Sequence, residues 1–368
     1  TLKMAKSIHE SLRFKPSGII TPNRTVLAAM TNKQSHDDGR LSNNELKWLK
    51  RRAEGGFGVV TTAAAHVSKD GQAWKGELGV FDDIHIDGLA RLAKAIHKEE
   101  SLLIAQLFHG GLQADENLTG SIPISASRTR SKTSRSGFSK QASEIEIIRV
   151  ISDFKDAAHR CQEAGFDGVE IHGAHGYLIT QFLGTKTNLR SDHWGGDLNN
   201  RSRILIEILK KIREELPENF IVGVRISPEI KNIGIRLDDS IELAKKVSNM
   251  GIDFIHISCW DVFKRSIEYP DVNKTLTQWF TESCENLPTV ISTGGIWSKK
   301  NADDLLKQGA DLVGVGKVGI GYPDWAKEVM KEKYDPKKPP FTSKQLKEVQ
   351  LSDVFIDYMR KWDGFVLD

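Results

Sequence analysis

One junction recurs along this chain and limits what it can fold into. A polar, amphipathic segment ends at glycine, a short apolar run follows, and the run stops at a polar or small residue. The pattern occurs at Gly56-Phe57-Gly58-Val59-Val60, Gly165-Phe166-Asp167-Gly168-Val169-Glu170-Ile171-His172, Gly251-Ile252-Asp253-Phe254-Ile255-His256-Ile257-Ser258 and Gly309-Ala310-Asp311-Leu312-Val313-Gly314-Val315-Gly316. The glycine reads as the residue just past a helix C-terminus, and the β-branched run as a parallel strand buried on both faces. Apolar runs at Thr25 to Met30, Leu102 to Leu107, Phe220 to Ile226 and Thr289 to Ser292 bring the candidate strands to eight. Helix-like segments lie between most of them, such as Asn43 to Glu54, Ile86 to Glu99, Glu144 to Ala164, Asn200 to Leu216 and Asp238 to Met250. This order suits a TIM (β/α)8 barrel better than a Rossmann sheet. We expect a single-domain α/β barrel over residues 1–330 and a tail over 331–368 that packs on the barrel or on a neighbouring subunit.

Composition narrows the functional classes. The 368 residues are 39 % hydrophobic and 27 % charged, with 52 Lys plus Arg against 49 Asp plus Glu, a formal net charge of +3. That is ordinary for a globular chain and carries no electrostatic footprint of a nucleic-acid binder. Cys161, Cys259 and Cys284 are widely spaced and odd in number, so neither a disulfide framework nor a zinc site is expected. No apolar stretch reaches membrane-spanning length, and Thr1 to Lys15 has no signal-peptide core, so a soluble cytoplasmic protein without a membrane partner is expected.

Two stretches stand outside the repeat. Gln113 to Ser143, Ser-rich with Arg128, Arg130, Lys132, Arg135 and Lys140, follows the third strand on the side where barrel active sites lie; it reads either as a lid or as a solvated excursion. The tail is dense in Lys and Pro before closing on Val354-Phe355-Ile356-Asp357-Tyr358-Met359-Arg360-Lys361-Trp362.

In a barrel the strand C-termini surround one mouth, which gathers Thr31, Gln106 with His109, His172 with His175 and Tyr177, Arg225, His256 with Ser258, Gly294 with Gly295, and Gly316 with Lys317. The densest group is His172-Gly173-Ala174-His175-Gly176-Tyr177. Two imidazoles facing one cavity can donate hydrogen bonds to a substrate oxygen while a phenol supplies a proton; a metal site would need further donors that the spacing does not offer, so none is expected. Ser292-Thr293-Gly294-Gly295-Ile296 and Gly314-Val315-Gly316-Lys317 follow the last two strands, where backbone N–H groups and a cation suit the phosphate of a cofactor.

Laid out this way, the chain resembles the old yellow enzyme family of FMN-dependent oxidoreductases, in particular its His-x-x-His branch. The matching text is Glu163-Ala164-Gly165-Phe166-Asp167-Gly168-Val169-Glu170-Ile171-His172-Gly173-Ala174-His175-Gly176-Tyr177-Leu178, then Gln181-Phe182-Leu183, Asn188, Arg190, Asp192, Trp194-Gly195-Gly196 and Asn200-Arg201, and the resemblance runs from about Lys15 to about Glu328. It implies FMN as cofactor and NADPH or NADH as reductant. It places Ala28, Ala29, Met30 and Thr31 along the flavin, Ala64 beneath the ring, Gln106 on the pyrimidine edge, Arg225 beside N1 and the C2 oxygen, and Gly294, Gly295, Gly316 and Lys317 around the phosphate. It further implies that His172 and His175 grip the carbonyl or nitro oxygen of an activated alkene, that Tyr177 protonates its α-carbon, and that Lys33 lies on the substrate side. Subunits in this branch often complete each other's sites with a tail arginine; Arg360 is the candidate here, within a homo-oligomer.

The chain departs from the family pattern at Ala29, where proline is common, at Trp194 for tyrosine, at Lys317 for arginine and at Lys33 for an aromatic. Lysine at 317 gives phosphate a point charge in place of a bidentate fork. The ene-reductase reading stands against a flavin-free barrel lyase or isomerase acting on a phosphorylated substrate, and against a non-catalytic flavin-binding protein.

Overall fold

A computed structural model describes residues 5–368. Eight parallel strands close a barrel: β1 (Thr25–Leu27), β2 (Val59–His66), β3 (Leu102–Phe108), β4 (Gly168–Gly173), β5 (Ile221–Ile226), β6 (Phe254–Ser258), β7 (Thr289–Thr293) and β8 (Leu312–Val315). Each pairs with its neighbours in sequence, and β1 closes the ring by pairing with both β8 and β2. The outer helices include α1 (Asn43–Glu54), α2 (Ile86–His97), α3 (Glu144–Glu163), α4 (Arg203–Glu215), α5 (Leu237–Ser248), α6 (Leu276–Ser283) and α7 (Lys299–Lys307). The longest, α3, starts at a Ser143–Glu146 capping box and buries Ile147, Val150, Ile151, Phe154, Ala158 and Cys161 at helical spacing. Among the described residues no helix is long and apolar enough to cross a membrane.

The recurring Gly-x-Asp junction has a physical job. Asp167, Asp253 and Asp311 each accept the N–H of a residue at the start of the preceding strand, from Leu103 at 2.7 Å, Val222 at 2.9 Å and Val290 at 2.8 Å. The glycine two residues earlier takes a positive φ, 91° at Gly165, 70° at Gly251 and 104° at Gly309, which turns the chain off the helix and delivers the carboxylate to the neighbouring strand. One short motif thereby ends a helix and sets strand order.

The barrel interior is layered by strand alternation. Phe14, at the hairpin of Leu12–Arg13 with Ile20–Thr21, plugs the lower end against Val26, Val59, Ile104, Ile221, Phe254, Ile291 and Leu312. Gly223 leaves room for this plug, since a Cβ there would lie 2.2 Å from the Phe254 ring. Gly223→Ala is therefore expected to destabilise the barrel by about 1–3 kcal/mol through overpacking, measured as a lower denaturation midpoint.

Two strands differ from the sequence expectation. The first leaves the ladder after Leu27, where the Ala28 N–H still donates to the Val315 carbonyl, so Ala29 to Thr31 lie free of the sheet at the mouth. The second runs on to His66 with a register shift between Thr61 and Ala64; its Thr-Thr-Ala-Ala-Ala continuation is fully buried but too weakly apolar to read as strand. The 113–143 segment is bound down by its own ladder, Ile124–Ser125 with Lys140–Gln141, and by Arg190, whose guanidinium donates to the Ala126 and Ala142 carbonyls.

The tail packs on its own barrel. α8 (Asp353–Met359) sets Phe355 edge-on against Trp48 of α1, with centroids 4.9 Å apart. Buried Arg52 donates to the carbonyls of Gly319, Ile320 and Val349, tying α1 to the segment before α8.

Candidate active site at the barrel mouth

Above the apolar plug, the inward positions of β3 to β7 turn polar. Glu170 is 2 % exposed at the centre of a network. It accepts from Gln106 Nε2 at 2.8 Å and meets His256 Nδ1 at 2.7 Å, while His256 Nε2 reaches Thr293 Oγ1 at 2.6 Å. Burial pushes the Glu170 carboxyl up, but His256, Arg225 and Gln106 outweigh it and hold the group below the ordinary carboxylate range. One register step higher, Arg225 stands between His172 and His256 on its two neighbouring strands, and its buried Nε has no partner among the described residues.

A cavity of about 380 Å³ opens over this layer. Its walls are Ala29, Met30 and Thr31 after β1, His175 and Tyr177 after β4, Arg225 of β5, Ser258, Cys259 and Trp260 at and after β6, Gly316, Lys317 and Ile320 after β8, and Tyr358, Met359 and Trp362 of the tail. His172 sits just behind, its ring 4.9 Å from that of His175 at 90° and 5.2 Å from that of Tyr177. Phe108 packs edge-on against Tyr177 at 4.5 Å, and Trp74 lies 6.1 Å from it.

Burial, with Arg225 and His256 nearby, pushes both imidazoles well below the usual histidine range, so each is neutral. His172 Nδ1 accepts the Ala174 N–H at 3.3 Å, which assigns its proton to Nε2 and makes that nitrogen a donor. His175 is held by Ser258 Oγ on its Nε2 at 2.6 Å and by Ser227 Oγ, which accepts its backbone N–H at 3.0 Å. Its φ of 65° is a left-handed conformation uncommon outside glycine. Burial raises the Tyr177 phenol above its ordinary value, with Glu77 and Tyr358 adding to the effect, so it stays protonated.

The other residues named from the sequence fall at three depths. Gly316 and Lys317 line the cavity, and Lys317 Nζ lies 4.7 Å from the Trp362 ring centroid. Gly294 and Gly295 take φ of 152° and 74° beside it; a Cβ on Gly294 would lie 2.1 Å from the Cys259 carbonyl oxygen. Gln106, Ala28 and Ala64 are buried beneath, Ala64 opposite Gln106 in the ladder. Lys33 is set back from the cavity, its ammonium 5.2 Å from the ring of Tyr358. His109 turns to Asp70 at 3.3 Å, and Arg360 pairs with Asp357 and donates to the Asp368 carbonyl at 3.0 Å. Sequence reasoning passed over Glu170, Trp260, Tyr358, Met359 and Trp362. A carboxylate two residues before His172 in an apolar run was the available signal for Glu170; the others arrive from loops and the tail and left none.

Comparison with known proteins fits this geometry. A profile of the NADH:flavin oxidoreductase / NADH oxidase family matches residues 12–336. The chain is 32 % identical over 329 residues to a probable NADH-dependent flavin oxidoreductase of Bacillus subtilis, covering 88 % of each. It is 36 % identical over 326 residues to an NADH:acrylate oxidoreductase of Vibrio harveyi, covering 86 % of this chain and 32 % of that protein, so it spans about a third of that relative's length. The solved structure of an old yellow enzyme homologue from Zymomonas mobilis superposes with a TM-score of 0.81 at 24 % identity, over 96 % of this chain and 99 % of that one. A family profile that matches nearly all of the barrel, together with a relative covered over most of its length, shows that the chain belongs to the NADH:flavin oxidoreductase / NADH oxidase family.

Proposed function

We propose that this chain reduces activated alkenes, as a member of the His-x-x-His branch, with NADH or NADPH as the source of electrons. The observation that carries the reading is the interlocked, neutral His172, His175 and Tyr177 at the edge of a cavity floored by Arg225. That the Vibrio relative is named for acrylate, an alkene conjugated to a carboxyl group, supports the same chemistry.

The residues present fit FMN. Arg225 offers a buried N–H with no partner among the described residues, suited to the anionic reduced form of an isoalloxazine. Gln106 has its amide N–H₂ engaged by Glu170, which leaves its oxygen to accept from a ring N–H. The positive-φ glycines 294 and 295, with Gly316 and Lys317, would hold the phosphate. Bound there, FMN would supply the redox chemistry, hydride acceptance from the nicotinamide and hydride donation to the β-carbon of the alkene.

The protein's own groups do the rest. The His172 Nε2–H and the His175 ring donate hydrogen bonds to the carbonyl or nitro oxygen, stabilising the charge that develops there as hydride arrives. Being neutral and fixed, by Ala174 and Ser258 respectively, they need no reorganisation. Tyr177 transfers its phenolic proton to the α-carbon, so one hydride and one proton add across the double bond.

The shifts also set a pH profile. The phenol is raised and the imidazoles are lowered, so all three groups keep their working protonation state from about pH 6 to about pH 9. Reoxidation of the reduced enzyme by an enone is expected to be flat across that range, measured by anaerobic stopped-flow. An alkaline limb with a midpoint below pH ~9 would remove Tyr177 from this role.

A further inference from the structure

His175 and Tyr177 are joined by a single residue, Gly176, and the joint is held from outside. His175 and Gly176 take consecutive left-handed φ values of 65° and 83°, backbone that persists in a non-glycine residue only where the surroundings impose it. The Gly176 carbonyl belongs to the planar peptide unit that leads into Tyr177, so turning it swings the phenol relative to the imidazole. Two side-chain amides hold that oxygen, Gln181 Nε2 at 2.9 Å and Gln113 Nε2 at 2.9 Å.

Gln181 stands on the short helix Leu178–Leu183 and is 1 % exposed. Its Nε2 donates also to the Gly110 carbonyl at 3.3 Å, and its Oε1 accepts the Leu112 N–H at 3.0 Å and the Ser125 hydroxyl at 2.7 Å. All four hydrogen-bonding positions of the amide are thereby filled. Gly111 permits this close approach, since a Cβ there would lie 2.2 Å from Gln181 Oε1. Gln113 and Ser125 both come from the 113–143 excursion, and Thr133, further along it, donates to the Leu112 carbonyl at 3.1 Å. The excursion therefore grips the Gln181 amide directly and through the Leu112 peptide. Gln113, Ser125 and Gln181 are not among the walls of the cavity, so their reach to the chemistry runs through Gly176.

We infer that Gln181, braced by the 113–143 excursion through Gln113 and Ser125, is the positioning residue that sets the Tyr177 phenol against the His175 ring. The inference rests on the roles proposed for those two groups. One substrate must meet a donor at its oxygen and an acid at its α-carbon together, so an error in the angle between them costs proton transfer while the oxygen is still gripped.

The FMN-loaded protein is compared with Gln181→Met and Gln113→Met. The second variant removes one of the two amides on the Gly176 oxygen and leaves the Gln181 network intact, so it serves where the first does not fold. Amide hydrogen exchange over 175–180 is expected to run about tenfold faster in Gln181→Met, with the barrel strands unchanged. In anaerobic stopped-flow the limiting rate of reoxidation by cyclohexenone is expected to fall about tenfold in Gln181→Met and about threefold in Gln113→Met. The half-saturating enone concentration and the rate of flavin reduction by NADH are expected to stay within about twofold of wild type, a split that general loosening of the site would not give. Unchanged exchange in both variants, limiting rates within about twofold of wild type in both, or equal losses in the NADH and enone reactions would each overturn the inference. If cyclohexenone does not reoxidise the wild-type reduced flavin, the alkene reading fails, and the exchange arm alone decides for or against the Gln181 clamp.

Discussion

Tyr177→Phe is expected to slow reoxidation of the reduced enzyme by an enone by about 10²- to 10⁴-fold, the usual worth of a positioned proton donor, while flavin reduction by NADH or NADPH keeps its rate. The split follows from the geometry. The phenol is pinned between Phe108 and Trp74 and meets His172 edge-on, so phenylalanine keeps the packing and loses only the proton. The reductive half-reaction moves a hydride and needs no acid at that place. Separate stopped-flow traces of the two halves check it; equal oxidative rates in variant and wild type would assign the proton to another donor.

Glu170→Ala is expected to cost about 3–5 kcal/mol of stability, the range for removing one member of a buried charged network. Glu170 is the link between strands β3, β4 and β6, and through His256 it reaches Thr293 on β7. Without it the Gln106 amide and His256 are left buried without their partner, and Arg225 loses its nearest countercharge. The denaturant midpoint of the FMN-free protein reads this directly, with the slope unchanged. A loss below about 1 kcal/mol would mean that water or a rotated Gln106 satisfies the gap. FMN affinity is expected to fall as well, because the proposed flavin site sets Gln106 and Arg225 at the pyrimidine edge.

The barrel was legible because its signals are local. Each glycine-terminated helix and buried apolar run lies within about twenty residues, and periodicity alone separates helix from strand there. The second strand was cut short because Thr61 to Ala65 are small and weakly apolar; only the closed barrel around them makes them strand. The role of Asp167, Asp253 and Asp311 was hidden for a related reason, since each serves a neighbouring strand more than 20 residues earlier in the chain.

At the site, the strand-end residues could be gathered once the barrel was assumed. What lies beneath and across from them could not. Glu170 shares the inward face with His172, a fact of strand alternation that becomes chemistry only when Gln106 and His256 arrive from other strands. The tail shows the limit most plainly. Arg360 was named from the family resemblance and within this chain pairs with Asp357, while Tyr358, Met359 and Trp362 line the cavity. Which side of a short helix meets the barrel is decided by packing, here Phe355 on Trp48, and that contact joins residues 307 positions apart.

The central claim, an FMN site serving two half-reactions at one mouth, is tested most directly by the visible spectrum of the purified protein during anaerobic titration. A yellow protein is expected, whose flavin band bleaches with NADH or NADPH and returns on adding cyclohexenone. A colourless protein that FMN does not reconstitute would contradict the cofactor site built around Arg225, Gln106 and Lys317, and a bleached flavin that no activated alkene recolours would contradict the roles given to His172, His175 and Tyr177.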